Sequence, residues 1–458
     1  MLFRKFTSTL EEFLLTEPDK ILLVNGARQV GKSYLISYVS KKLFKNYVEI
    51  NLKEDKEGDG IFADVRSTDD FYLQLGAIAG DRLGERENTI VFLDEIQAYP
   101  HLLTMLKFLN QERRYRYIAS GSQLGVALAE TPSVPLGSVA IKEMYPLDFE
   151  EFLISRGCGQ ETIDAMEAKF KAGEPLSEAL HTYMMRQFRL YLLVGGLPDA
   201  VKTFNESRNI TKVRGIQKDI HDLYGIDASQ YDEERKLVIR RIYKMIPSNM
   251  ENKKKRVFVN DIEDTKAHKQ FSDYADEFEY LTNSGIAIGV QAISNPKFPL
   301  RESEEKNLLK LYMNDVGLLT YLLYSTNINA VLQDQRSVNL GSVYETVVAQ
   351  ELKAHGFSMN YYDNKQKGEV DFLIDDYRNL TVLPIEVKSG KDYDEHSALD
   401  RFLSVKDYGI TEAAVLCNER EVRKDGGVTY MPVYYCMFYK QDTETQGMYL
   451  PAMEVPSI

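Results

Sequence analysis

An apolar run, a glycine-containing loop and a helical segment follow one another near the start of the chain. The apolar run is Ile21 to Val24, and the loop from Gly26 to Ser33 fits the pattern G-x-x-x-x-G-K-[ST]. Glycines at both ends of such a loop permit tight turns and let backbone N–H groups approach an anion at the start of the next helix. The order strand, loop, helix therefore predicts a parallel α/β sheet with a phosphate-binding site at its edge.

The loop residues have distinct expected roles. We expect Lys32 to contact the β- and γ-phosphates of ATP, and Ser33 to place its hydroxyl on Mg²⁺. Arg28 has two open interpretations, since its side chain could face the nucleotide or the solvent. The complete set of loop residues expected to bind the nucleotide is Gly26, Arg28, Gln29, Val30, Gly31, Lys32 and Ser33.

Two further strand ends complete the expected nucleotide site. The apolar run from Thr89 to Leu93 ends in Asp94, expected to hold Mg²⁺ through water, and Glu95, expected to position the attacking water. A third run, Arg116 to Ala119, leads to Ser122. The hydroxyl of Ser122 could sense the γ-phosphate, or it could only cap a helix.

Length and composition limit the class of protein. A chain of 458 residues predicts two to four domains, at roughly 100–200 residues each. The sequence is 44% hydrophobic, has a net charge of −13, and contains three cysteines without disulfide or zinc-ligand spacing. It contains no apolar tract of about 18 residues. We therefore expect a cytoplasmic protein without membrane contact, in which a nucleic-acid site would be a local basic patch.

The pattern of apolar residues divides the chain into four segments. Residues 1–145 alternate short apolar runs with helical segments, as in a parallel sheet covered on both faces. Residues 146–225 show helical periodicity, and 226–330 contain helices followed by a β-ribbon. Residues 331–458 begin with a helix and continue with β-rich sequence.

Two segments near the C-terminus carry a second constellation, GEVDFLI (Gly368 to Ile374) and LPIEVKSG (Leu383 to Gly390). Side chains alternate between the two faces of a strand, so Asp371 lies on one face of the first strand, and Glu386 and Lys388 share one face of the second. Two carboxylates could hold Mg²⁺ or Mn²⁺ while the lysine orients a water, and Glu345 on the preceding helix could add a carboxylate. The alternative is two amphipathic strands with solvated charges. The candidate catalytic residues here are Asp371, Glu386 and Lys388, and the candidate metal ligands are Glu345, Asp371 and Glu386.

The chain resembles the AAA-type ATPases of bacteria and archaea that pair an N-terminal P-loop domain with a C-terminal domain similar to PD-(D/E)xK nucleases. The resemblance covers nearly the whole chain. It implies ATP binding through Gly31, Lys32, Ser33, Asp94 and Glu95, and a nuclease-like core carrying the residues named above. The matching phrases are LLVNGARQVGKSYLI, VFLDEIQAYP, ASGSQLGVAL, YPLDFEEFL, VGGLPDAV, KLYMNDVGLL, YETVVAQEL, GEVDF and IEVKSG.

The pattern and the resemblance together predict an α/β fold in four parts. Residues 1–145 are expected to form a P-loop NTPase sheet and 146–225 a helical lid. Residues 226–330 are expected to form a winged-helix-like middle domain and 331–458 a restriction-endonuclease-like domain. One departure from the resemblance is Leu136-Gly137-Ser138, where a basic residue commonly follows the glycine. If that basic residue serves a neighbouring subunit's nucleotide, its absence argues against activation between subunits of a homo-oligomer.

Three hypotheses for function remain open. The first is an ATP-hydrolysing protein acting on DNA, in which nucleotide state controls a metal-dependent nuclease-like domain. The second is an ATP-dependent switch whose C-terminal domain is a non-catalytic docking module. The third is a signalling ATPase that does not touch nucleic acid. The basic run Asn252 to Arg256 could contact DNA phosphates, or it could be a solvated loop.

Overall fold

The computed structural model describes residues 2–122, 124–125, 137–228, 235–252, 254–263, 269–333, 340–390 and 393–441, with the backbone alone described for 304–306. Leu136 of the departure noted above and Lys253 of the basic run lie outside these ranges. No helix of the described residues combines the length and apolar character needed to cross a membrane.

The N-terminal part is a five-stranded parallel sheet flanked by helices. Its strands are β1 (Ile21–Asn25), β2 (Asn46–Asn51), β3 (Thr89–Asp94), β4 (Arg116–Gly121) and β5 (Val139–Glu143). Its helices are α1 (Phe6–Thr16), α2 (Lys32–Leu43), α3 (Leu52–Glu57), α4 (Thr68–Ala79) and α5 (Pro100–Glu112). The strand order is β2-β3-β4-β1-β5, and every neighbouring pair is parallel.

Every residue of β1 and β3 is buried, because helices cover both faces of the sheet. The predicted parallel α/β sheet is confirmed, and β5 is a strand that the apolar runs did not predict. Since parallel strands end at one edge, the P-loop after β1, the acidic pair at the end of β3 and the serines at the end of β4 lie side by side.

A helical region follows the first sheet. It comprises α6 (Phe149–Ser155), α7 (Gln160–Ala172), α8 (Glu178–Val194), α9 (Pro198–Ser207) and α10 (Ile210–Asp227). Helices predominate in this region, as the periodicity of residues 146–225 predicts, and its assignment as a lid stays a prediction. The glycine pair at 195 and 196 separates α8 from α9, where the sequence predicts a break.

The rest of the chain forms a second sheet with its own helices. The helices are α11 (Lys236–Glu251), α12 (Ala275–Asn283), α13 (Val316–Tyr324), α14 (Asn329–Leu332), α15 (Gly341–Ala354) and α16 (Ser397–Leu403). The strands are β6 (Ala287–Asn295), β7 (Glu304–Met313), β8 (Asn360–Asn364), β9 (Gly368–Asp376), β10 (Thr381–Val387), β11 (Ala413–Cys417), β12 (Arg423–Asp425) and β13 (Val428–Pro432). The order of this mixed eight-stranded sheet is β12-β13-β11-β10-β9-β8-β6-β7.

The β-ribbon predicted within residues 226–330 is the β6–β7 hairpin, while the winged-helix-like domain stays a prediction. β6 pairs with β7 on one side and, in parallel, with β8 on the other, with Gln291 opposite Asn360. The hairpin therefore extends the C-terminal sheet, and the predicted division between residues 330 and 331 does not coincide with a break in that sheet. The physical reason is that a strand's second hydrogen-bonding edge is satisfied by a partner distant in sequence.

A buried carboxylate joins the helical region to the second sheet. Asp315, between β7 and α13, is fully buried, and its oxygens accept hydrogen bonds from the backbone N–H groups of Gly196 at 2.6 Å and Leu318 at 3.2 Å. The Gly196 carbonyl in turn accepts from the Leu147 N–H at 2.7 Å. A Cβ at Gly196 would overlap the backbone of Leu147. The turn before α9 is therefore held between two chain segments.

Gly196→Ala is expected to destabilise the protein by about 1–3 kcal/mol, because the added methyl meets backbone atoms that no side-chain rotation can move. The matched control is Gly215→Ala in α10, where an added Cβ meets nothing within 4 Å. The control should be neutral, or stabilising by up to about 1 kcal/mol. Urea unfolding of the three proteins measures both differences, and equal midpoints for Gly196→Ala and wild type would contradict this account.

Candidate functional site

Lys32 is the first residue of α2 and is held by its own loop. Gly31 before it has a φ of 95°, in the left-handed region that favours glycine. The Lys32 ammonium donates to the carbonyl oxygens of Gly26 at 2.8 Å and Ala27 at 2.9 Å, and the residue is 6% exposed. Burial lowers the pKa of Lys32 to about 8, although Glu95 and Asp94 act to raise it. The ammonium thus has neutral hydrogen-bond partners and would be stabilised by an anion.

Asp94, the last residue of β3, connects the start of α2 with β4. Its Oδ2 accepts a hydrogen bond from the Ser33 hydroxyl at 2.7 Å, and its Oδ1 accepts one from the Ser120 hydroxyl. Burial raises the pKa of Asp94, while the two serine hydrogen bonds act against that rise. A hydroxyl and a carboxylate oxygen so placed are the donor types that Mg²⁺ prefers, so Ser33 and Asp94 fit this ion.

Glu95 is oriented by two neighbours. Its φ is 54°, in the left-handed region, which is uncommon for a residue with a side chain. Its Oε2 accepts hydrogen bonds from the Gln97 amide and, at 3.3 Å, from the Ser122 hydroxyl. Ser122 therefore contacts the expected catalytic carboxylate, and its predicted role as a γ-phosphate sensor stays a prediction. The strained backbone and the two donors give Glu95 a defined direction at the edge of the loop.

A cavity of about 660 Å³ opens between the P-loop and α9. This volume lies within the range of about 300–1,000 Å³ that is usual for small-molecule sites. Its walls include Gln29, Gly31, Lys32, Ser33 and Glu95 from the predicted site. Its lining also contains two cationic residues that the sequence analysis missed because neither belongs to a recognisable motif, Arg4 before α1 and Lys202 on α9.

The Arg28 side chain does not extend freely into solvent, and its contact with the nucleotide stays a prediction. It lines the cavity, yet its guanidinium is ion-paired with Asp227 at the end of α10. The Arg28 carbonyl accepts a hydrogen bond from the Tyr224 hydroxyl at 2.7 Å. Burial raises the pKa of Asp227 to about 6, although Arg28 acts to lower it. The loop is therefore attached to α10 through both its backbone and a side chain.

The four predicted residues of the C-terminal constellation are brought together. Asp371 on β9 and Glu386 on β10 lie on adjacent antiparallel strands, and the Val387 N–H donates to Asp371 Oδ2 at 2.9 Å. The Lys388 ammonium lies 3.0 Å from Glu386 Oε1. Glu345, on α15, is 1% exposed. The face predicted from strand alternation thus exists, and α15 packs against it so that Glu345 and Glu386 are buried.

Two lysines that the sequence analysis did not place there also enter this face. Lys255 is ion-paired with Glu345 Oε1. Lys310 on β7 lies 2.6 Å from Glu369, 3.9 Å from Glu345 Oε2 and 4.0 Å from Asp371 Oδ1. The Tyr312 hydroxyl donates to Glu345 Oε2 at 3.2 Å. Both oxygens of Glu345 therefore have protein partners.

The pKa shifts at this face follow from the same contacts. Burial raises the pKa of Asp371 well above its usual value, and the carboxylates of Glu345 and Glu386 raise it further. Burial also acts to raise the pKa of Glu345, but the ammonium groups of Lys255 and Lys310 hold it below its usual value. The face is therefore an anionic cluster that internal cations partly neutralise.

The side chains in this arrangement do not fit a divalent metal ion at the predicted ligands. Lys255 occupies one oxygen of Glu345, and Lys310 lies between Glu345 and Asp371. A metal ion would need those oxygens at about 2.0–2.6 Å and would face two ammonium groups. The metal role of Glu345, Asp371 and Glu386 stays a prediction.

Within the described ranges, one group of three His, Cys, Asp or Glu side chains has all its potential metal-ligand atoms within 4.8 Å of one another. It consists of Asp148, Glu351 and His355. Asp148 Oδ2 is 2.6 Å from the Lys5 ammonium and 3.3 Å from His355 Nε2. Glu351 Oε1 accepts from the Phe149 N–H at 2.8 Å. These contacts explain the trio as a buried ion network that joins the start of α6 to α15.

Two residues of the basic run form ion pairs with carboxylates of the same chain. Besides Lys255, its Arg256 is ion-paired with Asp363 at 3.1 Å. Lys254 is exposed. Two of the run's charges are therefore occupied by carboxylates, which weakens the support for a DNA-binding patch at this loop.

Three family models match separate parts of the chain. Residues 18–153 match the family described as AAA domain, so this part is an AAA-type P-loop domain. Residues 185–329 and 340–436 match two families described only as domains of unknown function, DUF8612 and DUF4143. An uncharacterised protein of Methanocaldococcus jannaschii is 22% identical over 367 residues, which are 78% of this chain and 72% of that protein.

Two solved structures show distant similarity. The Walker-type ATPase PABY2304 of Pyrococcus abyssi is 16% identical, with a TM-score of 0.42 over 70% of this chain and 96% of its own. The ORC2 protein of Aeropyrum pernix, in ADPNP and ADP complexes, is 12% identical, with a TM-score of 0.36 over 73% and 93%. These TM-scores are too low to define a shared overall fold.

Proposed function

We propose that the chain is an ATP-binding and ATP-hydrolysing switch whose nucleotide state controls the C-terminal nuclease-like region. The observation that carries this proposal is that Lys32, Ser33 and Glu95 line one cavity, with Asp94 accepting a hydrogen bond from Ser33. Mg²⁺ held by Ser33 and Asp94 would supply positive charge to the β- and γ-phosphates. The cavity wall formed by α9 would change its contacts when those phosphates leave.

The protein groups have separable tasks in this proposal. The Lys32 ammonium exchanges its hydrogen bonds to two carbonyl oxygens for hydrogen bonds to phosphate oxygens. The negative charge of the phosphates then stabilises the buried ammonium. Glu95, oriented by Gln97 and Ser122, accepts the proton of the attacking water. Lys202 on α9 and Arg28 in the loop add positive charge beside the phosphates.

A continuous set of contacts supports control of the C-terminal sheet. The P-loop is attached through Arg28 to Asp227 and Tyr224 on α10. The Tyr224 hydroxyl accepts from the Asn314 amide at 3.5 Å, and Asn314 directly follows β7. β7 carries Lys310 into the anionic cluster. A change in the loop's position on nucleotide binding therefore has a contiguous route to that cluster.

Lys32→Ala is expected to reduce ATP affinity at least a hundredfold, because it removes the buried charge that pairs with the β- and γ-phosphates. The matched control is Lys42→Ala on the same helix, since the Lys42 side chain is 53% exposed and pairs with Glu11. Isothermal titration with ATP and Mg²⁺ measures both. Unchanged affinity in Lys32→Ala would refute the nucleotide site.

Glu95→Gln is expected to bind ATP about as tightly as wild type and to hydrolyse it roughly 10²–10⁴-fold more slowly, the usual loss for a general base. Asp55→Asn serves as a control, since Asp55 lies in α3, does not line the cavity, and accepts from the Tyr99 hydroxyl at 2.9 Å and from two backbone N–H groups of the following turn. Phosphate release under saturating ATP gives the turnover rate. A wild-type rate in Glu95→Gln would remove Glu95 from the proposed mechanism.

The second candidate function is metal-dependent cleavage of nucleic acid at the C-terminal face. It is favoured by the convergence of Asp371, Glu386 and Lys388 on adjacent strands. The observation against cleavage is that lysine ammonium groups lie beside the carboxylates of Glu345 and Asp371. The first proposal, in which the C-terminal face is not catalytic, agrees both with the convergence of these side chains and with their contacts to lysines.

Incubation with single- and double-stranded DNA, with Mg²⁺ or Mn²⁺ and with or without ATP, separates the two functions. We expect wild type to leave both DNAs intact, because internal cations occupy the carboxylates. Asp371→Ala is the matched variant. Cleavage by wild type that Asp371→Ala abolishes would establish the second candidate in place of the non-catalytic face, and would leave the ATP site unaffected.

A further inference from the structure

The carboxylate cluster of the C-terminal face, formed by Glu345, Glu369, Asp371 and Glu386, lies largely out of solvent. Glu345 and Glu386 are 1% and 8% exposed, and Glu386 Oε2 has no hydrogen-bond partner. Buried carboxylates are stable only when hydrogen bonds or cations compensate for lost hydration. The identity of the compensating cation therefore decides the chemistry of this face.

Three ammonium groups share this task, and two of them belong to the sheet itself. Lys310 is fully buried in β7, contacts Glu369 and lies 4.6 Å from the centre of the Tyr361 ring. Lys388 follows β10 and pairs with Glu386 of the same strand. The sheet therefore positions both lysines, Lys310 on its edge strand β7 and Lys388 directly after β10.

Lys255 is different because it enters from a loop outside the strands. It follows α11, and the loop is fixed against β7 by the Val257 N–H, which donates to the Leu309 carbonyl at 2.9 Å. The Lys255 side chain is 19% exposed, and its ammonium pairs with Glu345 Oε1. Its removal would take a cation from the cluster without altering any strand.

We infer that Lys255 is the one of these three cations that excludes a divalent metal ion from the cluster, by occupying Glu345 Oε1. A metal ion and the Lys255 ammonium need the same oxygen of Glu345, and the two positive charges repel each other. Without Lys255, four carboxylates face only Lys310 and Lys388. That surplus of negative charge, with oxygen donors on α15, β9 and β10, suits a hard divalent cation.

Mn²⁺ binding to the nucleotide-free full chain tests this inference, with free Mn²⁺ measured by electron paramagnetic resonance. Lys255→Ala is expected to bind one more Mn²⁺ per chain than wild type. The matched control is Lys254→Ala, which removes the exposed neighbouring charge and should bind as wild type does. Any Mn²⁺ that binds at Asp94 would be common to all variants and would cancel in the comparison.

The double variant Lys255→Ala/Asp371→Asn locates the added ion, which it should lose. Lys255→Met, which keeps the length of the side chain, is measured in parallel, and circular dichroism establishes that each variant is folded. No added Mn²⁺ in either folded Lys255 variant would overturn the inference. So would a Mn²⁺ bound by wild type that Asp371→Asn removes.

These outcomes are independent of the proposed ATP switch. The measurement uses no nucleotide, and Lys255 lies at the cluster and not at the cavity beside Lys32. A failed gain of Mn²⁺ binding would leave ATP binding and turnover unchanged, whereas a failed ATP titration would leave the Mn²⁺ result standing.

Discussion

The carboxylate of Asp315 holds together the parts of the molecule on which both candidate sites depend. One of its oxygens accepts from the Gly196 N–H, in the turn that starts α9, and the other accepts from Leu318 N–H at the start of α13. α9 forms a wall of the nucleotide cavity, and β7, which ends just before Asp315, carries Lys310 to the C-terminal cluster. A buried carboxylate needs such backbone donors, so its position fixes theirs.

The two sites use lysine in opposite electrostatic situations. Lys32 is buried against carbonyl oxygens, and its pKa is lowered to about 8, so its charge lacks a full counter-ion. Lys310 is buried against carboxylates, and its pKa is raised well above the usual value despite burial. An incoming anion would stabilise the first lysine, whereas the second already has its anions. This difference favours binding of an anionic ligand at the P-loop, whereas the charges of the C-terminal face are already paired within the protein.

Local patterns predicted the elements that carry the sites. The apolar runs at β1 and β3, the glycine loop and the alternation along β9 and β10 each depend on residues within about ten positions of one another, which is the range over which strand and turn geometry acts. Local patterns could not predict the place of the β6–β7 hairpin, because β6 pairs with a strand that is distant in sequence. Its strands show the expected local pattern, but the partner β8 begins more than sixty residues after β6 does.

The sequence by itself determined the identity and order of the phosphate-binding loop, the acidic residues after β3, and the shared face of Asp371 and Glu386. These follow from backbone periodicity and from the chemistry of the side chains. Only the tertiary structure decided that Arg28 pairs with Asp227 and that Lys255 pairs with Glu345. The physical reason is that a charge buried by folding takes its partner from whichever segment the packing brings near, and sequence spacing does not encode that choice.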